Sequence, residues 1–320
     1  MNYSDKKEFF FPKGTSMKYL YVFFFTLAIT AFTVHAQNFV FTILGVKGQV
    51  TCSKAGSDKW VKVSTGDKIF SGQRLQLAGD AYAGLVHASG AVLELSGEGK
   101  YTTGELSELL KKNKTSVAKK FSDYVIKEVS AYNSSSKEMR SMGAVQREVF
   151  EKFDLRFPAD TYLLGDEVII SWYPNAKVKE YVFELFNSKG GNILSKKITE
   201  SAIIVNFADL HLEKGKAYTW SVKASGISGM NSGECSFFLV SQEKENEIMD
   251  TANEMSDSTT ADSPIHLLML GSFYDQQQLK YNAMKCYQNA LDLAPDVESY
   301  RDLYLNFLEK NNLNRMMSRL

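Results

Sequence analysis

Cysteine and histidine are scarce in this sequence, which contains 3 Cys and 4 His among 320 residues. A disulfide-rich scaffold needs more cysteines than this, and a zinc site built from four cysteines needs one more than the chain has. The histidines are too widely scattered to complete such a site. We therefore predict no metal and no other cofactor. We expect Cys52, Cys235 and Cys286 to be buried and unreactive, because free cysteine is among the most buried residue types.

An excess of charge is also lacking, since 37 Lys and Arg residues balance 37 Asp and Glu residues. Without a basic excess the chain has no general attraction for the phosphates of nucleic acid. Proline is rare, at 5 residues, whereas hydrophobic residues make up 44% of the chain. This is enough apolar material for more than one core, and it excludes a wholly disordered chain. We expect several folded domains and no nucleic-acid partner.

Sequence motifs for catalysis are missing as well. The chain has no His-Glu-x-x-His, no Gly-x-Ser-x-Gly, no phosphate-binding Gly-Lys-Ser/Thr loop, no Cys-x-x-Cys and no glycine fingerprint for dinucleotides. We therefore predict a protein that is not an enzyme and has no catalytic residues. An unrecognised hydrolase stays an alternative, and it requires convergent carboxylates or a Ser–His pair at a pocket.

The first 36 residues are typical of an export signal. Lys18 supplies positive charge, residues 19–34 form an apolar run, and residues 34–36 offer small side chains before a cleavage point. The run is shorter than the about 20 apolar residues of a membrane span. We predict cleavage before Gln37 and a location in the periplasm, in the cell envelope or outside the cell, with no membrane span left. The alternatives are an uncleaved membrane anchor and a translation start at Met17.

Residues 37–104 consist of short β-rich runs separated by glycines. Residues 74–77 and 92–95 alternate polar and apolar side chains, as half-buried strands do. Gly66-Asp67 and Gly79-Asp80 have the composition of turns. We predict a small all-β domain, folded as a sandwich or as a barrel-like sheet.

This β segment resembles the periplasmic domain of FecR-type proteins. The residues that carry the resemblance are Gly48-Gln49-Val50, Trp60, Gly66-Asp67, Gly72-Gln73-Arg74-Leu75, residues 81–85 and residues 89–95. FecR regulators carry a cytoplasmic segment that controls a sigma factor and a membrane span before this domain, whereas here a signal peptide takes their place. A signal-sensing regulator therefore remains an alternative that needs an uncleaved anchor or a membrane partner. Trp60 and Arg74 are a candidate ligand patch, although a lone Trp in a glycine-rich sheet is more often a core residue.

The pattern changes to a helical one over residues 105–153. Apolar residues recur at helical spacing, and Asn133 begins a polar break that offers an N-cap for a second helix through Phe150. The apolar stripe consists of Val117, Phe121, Tyr124, Val125 and Val129. We expect this helical segment to pack against the β domain.

Residues 154–241 return to strand patterns. Residues 168–172, 181–186 and 218–224 are predicted strands, and residues 189–192 are a predicted hairpin turn. Gly215 and the strand around Trp220, with Trp172 as an early core tryptophan, resemble fibronectin type III and immunoglobulin-like sandwiches. The resemblance implies a second β domain that spaces or binds.

Two different segments follow. Residues 242–263 are rich in Asp and Glu with few large apolar side chains, which predicts an acidic disordered linker. Residues 264–320 resemble one tetratricopeptide repeat, a TPR unit of two antiparallel helices, followed by a capping helix over residues 296–308. The residues at repeat spacing, which the resemblance makes candidates for protein binding, are Leu267, Leu270, Gly271, Tyr274, Ala283, Tyr287, Ala290 and Pro295.

One and a half repeats leave apolar surface uncovered, because repeat arrays normally need about three units. A protein partner, self-association and docking onto the preceding sandwich are three open ways to cover it. The sequence thus predicts a multidomain β plus α protein of a Gram-negative bacterial envelope. We expect a scaffold or adaptor that binds protein through the TPR unit, with envelope glycan as a further candidate partner.

Overall fold

The computed structural model describes residues 39–54, 56–110, 119–129, 156–257 and 263–313. In this part of the chain it shows a mixed β and α protein with three sheets and six helices, all within one unit, Phe39–Leu320. None of the helices in these ranges is both long and apolar enough to cross a membrane. The predicted signal peptide and the second helix predicted after Asn133 lie outside the described residues.

The first sheet has six strands and curls around its own core. The strand order is β2-β1-β4-β5, with β3 paired to β1 and β6 paired to β4, because β1 and β4 are long enough to pair with several short strands. Its core residues, such as Phe41, Ile43 and Leu75, are fully buried. The strands are β1 Phe39–Ser53, β2 Trp60–Lys62, β3 Lys68–Phe70, β4 Arg74–His87, β5 Val92–Ser96 and β6 Gly99–Thr102.

The turn predicted at Gly79-Asp80 is wrong, since β4 runs through both residues. The register between β1 and β4 shifts here, because Gly79, Asp80 and Ala81 form a bulge on β4 opposite the single residue Gly48 of β1. Both glycines have positive φ, +73° and +62°, which β-branched or bulky residues rarely adopt. A bulge and a turn need the same backbone freedom, so glycine alone did not distinguish them.

Two further sheets form a sandwich. A five-stranded sheet has the order β11-β10-β13-β14-β8, and a three-stranded sheet has the order β12-β9-β7. Trp172 and Trp220 lie on either side of Phe183 between the sheets, with ring centroids 6.4 Å and 6.2 Å from it. The predicted hairpin joins β10 to β11. The strands are β7 Arg156–Phe157, β8 Thr161–Leu163, β9 Glu167–Trp172, β10 Tyr181–Asn187, β11 Asn192–Ile198, β12 Ala202–Asn206, β13 Ala217–Ala224 and β14 Cys235–Leu239.

Two helices follow the first sheet. Helix α1, Thr103–Leu109, begins with a capping box, in which Thr102 and Glu105 bond each other's backbone N–H. Helix α2, residues 119–129, buries the predicted stripe at Phe121, Val125 and Val129. Phe121 packs edge-on against Phe273 of a later helix, with ring centroids 5.2 Å apart.

Gln242–Asp257 forms helix α3, so the disordered linker predicted at residues 242–263 is wrong over most of its length. The Ser241 hydroxyl accepts a hydrogen bond from the backbone N–H of Lys244 at 3.2 Å, an N-cap that begins the helix. Ile248, Ala252 and Met255 are buried at spacings of four and three residues, on one face of the helix. The sequence did not reveal this narrow apolar stripe, because acidic residues dominate the composition of the segment.

The last three helices are α4 Pro264–Gln276, α5 Lys280–Leu293 and α6 Glu298–Lys310. Ser263 caps α4, and Pro264 occupies its first turn. Gly271 allows α4 and α5 to approach closely, because a Cβ at this position would lie 3.0 Å from the Tyr287 ring. We call α4, α5 and α6 the helical unit.

The helical unit packs against the other parts of the same chain. One hydrophobic core runs from the sandwich through the helical unit to Leu44 and Val86 of the first sheet. Of the three ways to cover the apolar surface of the helices, the structure therefore shows internal docking, and it extends to both β domains rather than to the sandwich alone.

Candidate ligand-binding site

A polar face on the first sheet brings the two predicted ligand residues together. Strand registers place Trp60 of β2, Ser53 of β1, Arg74 of β4 and Thr102 of β6 in one row across the sheet. Side chains two residues apart in a strand share a face, so a second row lies beside the first on the same side. That second row consists of Lys62, Thr51, Gln76 and Lys100. We call these eight residues the Trp60 face.

Residues between the two rows point to the opposite side of the sheet, where Leu75 is fully buried in the core. Trp60 therefore lies on the side of the sheet away from the core. The sequence had favoured a core position, because a lone Trp in a glycine-rich sheet is more often buried, and that expectation is wrong. Trp60 is half-buried, and its ring lies under two cations. The Arg74 guanidinium carbon is 5.3 Å and the Lys100 ammonium nitrogen 4.9 Å from the ring centroid. Each such cation–π contact contributes only about 0.5–1 kcal/mol at an exposed site.

Arg74 is held in place by three hydrogen bonds. Its Nε donates to the Ser53 hydroxyl at 3.1 Å, and Nη2 donates to the Ser57 carbonyl at 2.7 Å and to the Asp58 carboxylate at 3.1 Å. Lys62 and Lys100 form no ion pair with any residue in the described ranges. The face thus combines an ordered guanidinium, two ammonium groups without an ion pair among the described residues, and an aromatic ring, which suits an anionic ligand with an apolar surface.

Sequence reasoning found Trp60 and Arg74 but missed Lys62 and Lys100. Lys62 lies two residues from Trp60 on β2, and Lys100 lies two residues from Thr102 on β6, so each shares a face with its neighbour. The face itself forms only because β2, β1, β4 and β6 pair with one another over long sequence distances. No local pattern reports which strands are neighbours, so the remainder of the face was not visible in the sequence.

The residues predicted to bind protein lie mostly inside the helical unit. Gly271, Tyr274, Ala283, Tyr287 and Ala290 are buried between its helices or against the rest of the core. Leu267 and Leu270 are partly buried against the same core, and Pro295 is exposed in the loop between α5 and α6. They do not form a continuous open surface.

The joint between the helical unit and the first sheet is built around Tyr300. Gly45 and Gly84 lie directly opposite each other on β1 and β4, and the fully buried Tyr300 side chain packs onto both. The Tyr300 hydroxyl is 2.9 Å from the Tyr82 hydroxyl, which donates to a Glu94 carboxylate oxygen at 2.7 Å. Burial raises the pKa of both tyrosines above their usual range.

Glu94 also anchors the start of α4. Its Oε1 accepts the Ile265 backbone N–H at 3.1 Å, while the Ser299 hydroxyl of α6 donates to the Leu44 carbonyl at 3.0 Å. These buried polar groups are all used in holding the joint. Removing one partner of such a pair leaves the other unsatisfied, which costs about 1–3 kcal/mol.

Two polar cavities, of about 350 Å³ and 390 Å³, flank this joint. Lys47 and Asp296 line both cavities, and their side chains pair at 3.1 Å. Asp80 lies 3.5 Å from the same lysine nitrogen. Asp296, and then Asp80, raise the pKa of Lys47 above its usual range. The ion pair is therefore part of the lining of both cavities.

A second joint attaches the helical unit to the sandwich. The Thr161 hydroxyl of β8 accepts the Lys280 N–H at 3.0 Å and donates to the Gln278 carbonyl at 2.9 Å, so it caps α5 from another part of the chain. Asn282 bonds both the N–H and the carbonyl of Leu164, at 3.3 Å and 3.0 Å. Leu279, the N-cap residue of α5, makes no side-chain capping hydrogen bond of its own.

In the described residues the cysteines, and the two histidines that contact a serine, are buried, partly buried or held in local hydrogen bonds. Cys235 and Cys286 are buried as predicted, Cys52 is half-buried, and burial raises the pKa of Cys286 to about 12. Two Ser–His contacts occur. His87 Nδ1 is 2.7 Å from the Ser89 hydroxyl and also accepts the Ser89 N–H within one tight turn, and buried His266 is 3.3 Å from Ser256. In the described ranges no three His, Cys, Asp or Glu side chains are grouped as metal ligands.

No protein-family model and no curated protein matches this chain. Among solved structures it is similar to the Clostridium perfringens spore cortex lytic enzyme SleM, with 19% sequence identity, a TM-score of 0.20 and 27% of this chain covered. The chain spans 27% of the length of that structure. A likeness this low carries no argument about fold or activity.

Proposed function

We propose that the protein is a non-enzymatic, exported scaffold or adaptor of the bacterial cell envelope. In this proposal a FecR-like domain, an immunoglobulin-like or fibronectin type III-like sandwich and a TPR-like helical unit act as one rigid body. The observation that carries it is the pair of buried joints, at Tyr300 and at Thr161, by which the helical unit holds both β domains.

The local geometry supports the three module resemblances. The glycines of the FecR-like pattern lie at bulges and turns with positive φ, among them Gly48, Gly66 and Gly90. Trp172 lies in the core between the two sheets of the sandwich, as in immunoglobulin-like domains. Gly271 lies against Tyr287 at the crossing of α4 and α5, the packing that the TPR spacing implies.

Because the helical unit is occupied internally, partners need another surface, and the outer face of the three-stranded sheet provides one. Ile169 and Ile204 lie directly opposite each other there, 45% and 63% exposed. The Phe207 N–H donates to the Asp166 carbonyl, and the Trp172 N–H donates to the Ser201 carbonyl. Because every second residue pair between antiparallel strands is hydrogen-bonded, the pair Ile204 and Ile169 is a pair without mutual hydrogen bonds. The backbone groups of Ile204 therefore point to the free edge of β12. We place the protein contact at this face.

The test is a pull-down from an envelope fraction with the whole chain from Gln37 onward, in which Ile204→Lys is compared with the unchanged chain. Val61→Lys is the control, since Val61 is a similarly exposed aliphatic residue, at 58%, on the first sheet. Surface substitutions of this kind change the free energy of unfolding by only about 0.5 kcal/mol. Proteins captured by the unchanged chain and by Val61→Lys but lost with Ile204→Lys support the proposal. The same proteins with all three chains, or none, contradict it.

Deletion of the helical unit would not be an equivalent test. The helical unit packs Tyr300 on the first sheet and the start of α5 on the sandwich. Its loss would therefore expose core residues of both β domains. Point substitutions at exposed positions separate a partner contact from a folding defect.

A further inference from the structure

We propose that the Trp60 face binds an acidic polysaccharide. This deepens the proposed envelope function, on which it rests, by naming a ligand class for the first sheet. One sugar ring lies on the Trp60 ring, and carboxylates along the glycan contact Arg74, Lys100 and Lys62.

The partly exposed Trp60 ring is the first argument. A tryptophan that is half-buried on a polar sheet face has a large apolar surface that water covers poorly. The C–H face of a sugar ring packs against such a surface. The two cations over Trp60 contribute little at an exposed site, so a ligand can take the place of the exposed Lys100 side chain on the ring without a large loss.

The arrangement of cations is the second argument. Lys62 and Lys100 lie at the two ends of one row, on β2 and β6, with β1 and β4 between them. Three strand spacings of about 4.8 Å put their Cα atoms roughly 14 Å apart, and the Lys100 side chain reaches back until its ammonium nitrogen is 4.9 Å from the Trp60 ring centroid. Because the cations of the face come from β2, β4 and β6, a ligand that carries several negative charges can contact all of them. Asp58 neutralises part of the Arg74 charge, and Lys62 also lines the cavity that contains Asp296, Glu298 and Asp302, so Lys100 provides the main attraction.

The remaining polar groups suit hydroxyl-rich ligands. Thr51 and Gln76 contribute a hydroxyl and an amide group between Lys62 and Lys100, and these groups both donate and accept hydrogen bonds. Nucleic acid is a poorer fit, because surfaces for single strands use several aromatic rings for successive bases. The Trp60 face has one.

The experiment uses the whole chain from Gln37 onward and titrates it with polygalacturonate, a polymer of uronic acid. Tryptophan fluorescence reports the site selectively, since Trp172 and Trp220 are 1% and 0% exposed and Trp60 is the half-buried one. Neutral dextran and an oligothymidylate are titrated in parallel. We expect polygalacturonate to bind with an affinity that falls as salt is added, and dextran to bind at least about tenfold more weakly.

Trp60→Ala and Lys100→Gln are the test variants, and calorimetry replaces fluorescence for the first. Each should weaken binding by about tenfold, whereas Trp60→Phe retains most of it. Lys197→Gln on the sandwich is the matched control and should bind as the unchanged chain does. Thermal unfolding of every variant shows whether a loss of binding reflects a loss of fold.

Three results would overturn the inference: no binding of polygalacturonate, equal binding of dextran, or tighter binding of the oligothymidylate. Full binding by folded Trp60→Ala would do the same. These outcomes are separate from the adaptor test, because Ile204→Lys lies on the other β domain and leaves the Trp60 face unchanged. If the unchanged chain captures no protein but still binds polygalacturonate, only the adaptor proposal is contradicted.

Discussion

At the scale of single residues, two glycines decide how the first sheet meets the helices. Gly45 and Gly84 face each other across β1 and β4, and neither has a left-handed φ. The backbone conformation therefore does not call for glycine at these positions. Close approach does, because a Cβ at Gly45 would lie 2.8 Å from the Tyr300 ring and one at Gly84 2.5 Å from the Tyr300 hydroxyl oxygen.

We expect Gly84→Ala to destabilise the protein by about 1–3 kcal/mol, the usual cost of adding a methyl group to a filled core. Chemical unfolding measures the change. In Gly84→Ala with Tyr300→Phe the hydroxyl in the closest contact is gone. The pair should therefore be less destabilised than the sum of the single variants, although the Ile265 methyl, 2.8 Å from the new Cβ, limits the recovery.

Gly104→Ala is the control for this prediction, since Gly104 has no positive φ and its nearest neighbour would be 3.8 Å from a new Cβ. It lies in α1, where alanine is favoured over glycine by up to about 1 kcal/mol. A Gly84→Ala protein as stable as the Gly104→Ala protein would show that the two-glycine contact with Tyr300 does not hold the joint.

At the scale of elements, α3 shows how few apolar residues a helix needs when tertiary packing supplies the rest. Its composition is that of a linker, yet Ile248 and Met255 are buried and Ser241 caps its start. Acidic side chains in its first turn are also favourable beside the positive end of the helix dipole. Lys214 of the sandwich pairs with Glu245 and ties this end to the preceding domain.

We expect Ile248→Asp to unfold α3, because a buried carboxylate without a partner is too costly to keep in the core. Proteolysis between residues 242 and 257 should then become several-fold faster. Met249→Asp is the matched control on the next residue, which is 42% exposed, and it should leave the cleavage rate unchanged. Equal cleavage of both variants would mean that α3 does not depend on its buried face.

At the scale of the whole molecule, the sandwich and the helical unit share one core that reaches Leu44 and Val86 of the first sheet, and the first sheet also has a core of its own. The largest hydrophobic cluster includes Leu44 of the first sheet, Trp172 of the sandwich and Tyr300 of the helical unit. Parts that share a core cannot unfold separately without exposing each other's apolar surface.

We therefore expect the chain from Gln37 onward to unfold in one cooperative transition. Tryptophan fluorescence, which reports mainly the sandwich, and far-ultraviolet circular dichroism, which reports mainly the helices, should have coincident midpoints. Calorimetric and van 't Hoff enthalpies should agree. Two separated transitions would show that the domains are linked but energetically independent, contrary to a rigid scaffold.

Local patterns predicted what depends on neighbours in the sequence. Hydrophobic period identified α2 through Phe121 and Val125, and glycine placement identified the hairpin between β10 and β11. The same reasoning failed at Gly79, because a bulge and a turn share one backbone requirement, and at α3, because three buried residues among many acidic ones do not stand out.

Apart from α3, the sequence by itself determined the kinds of element and their order, as well as the scarcity of cysteine, since these follow from residue type and from side chains a few positions apart. Only the tertiary structure decided that Lys62 and Lys100 share a face with Trp60, that Thr161 caps a helix more than a hundred residues away, and that Tyr300 fills the space over Gly45 and Gly84. These contacts depend on strand register and on the packing of distant segments. Neither strand register nor the packing of distant segments can be deduced from a local sequence pattern.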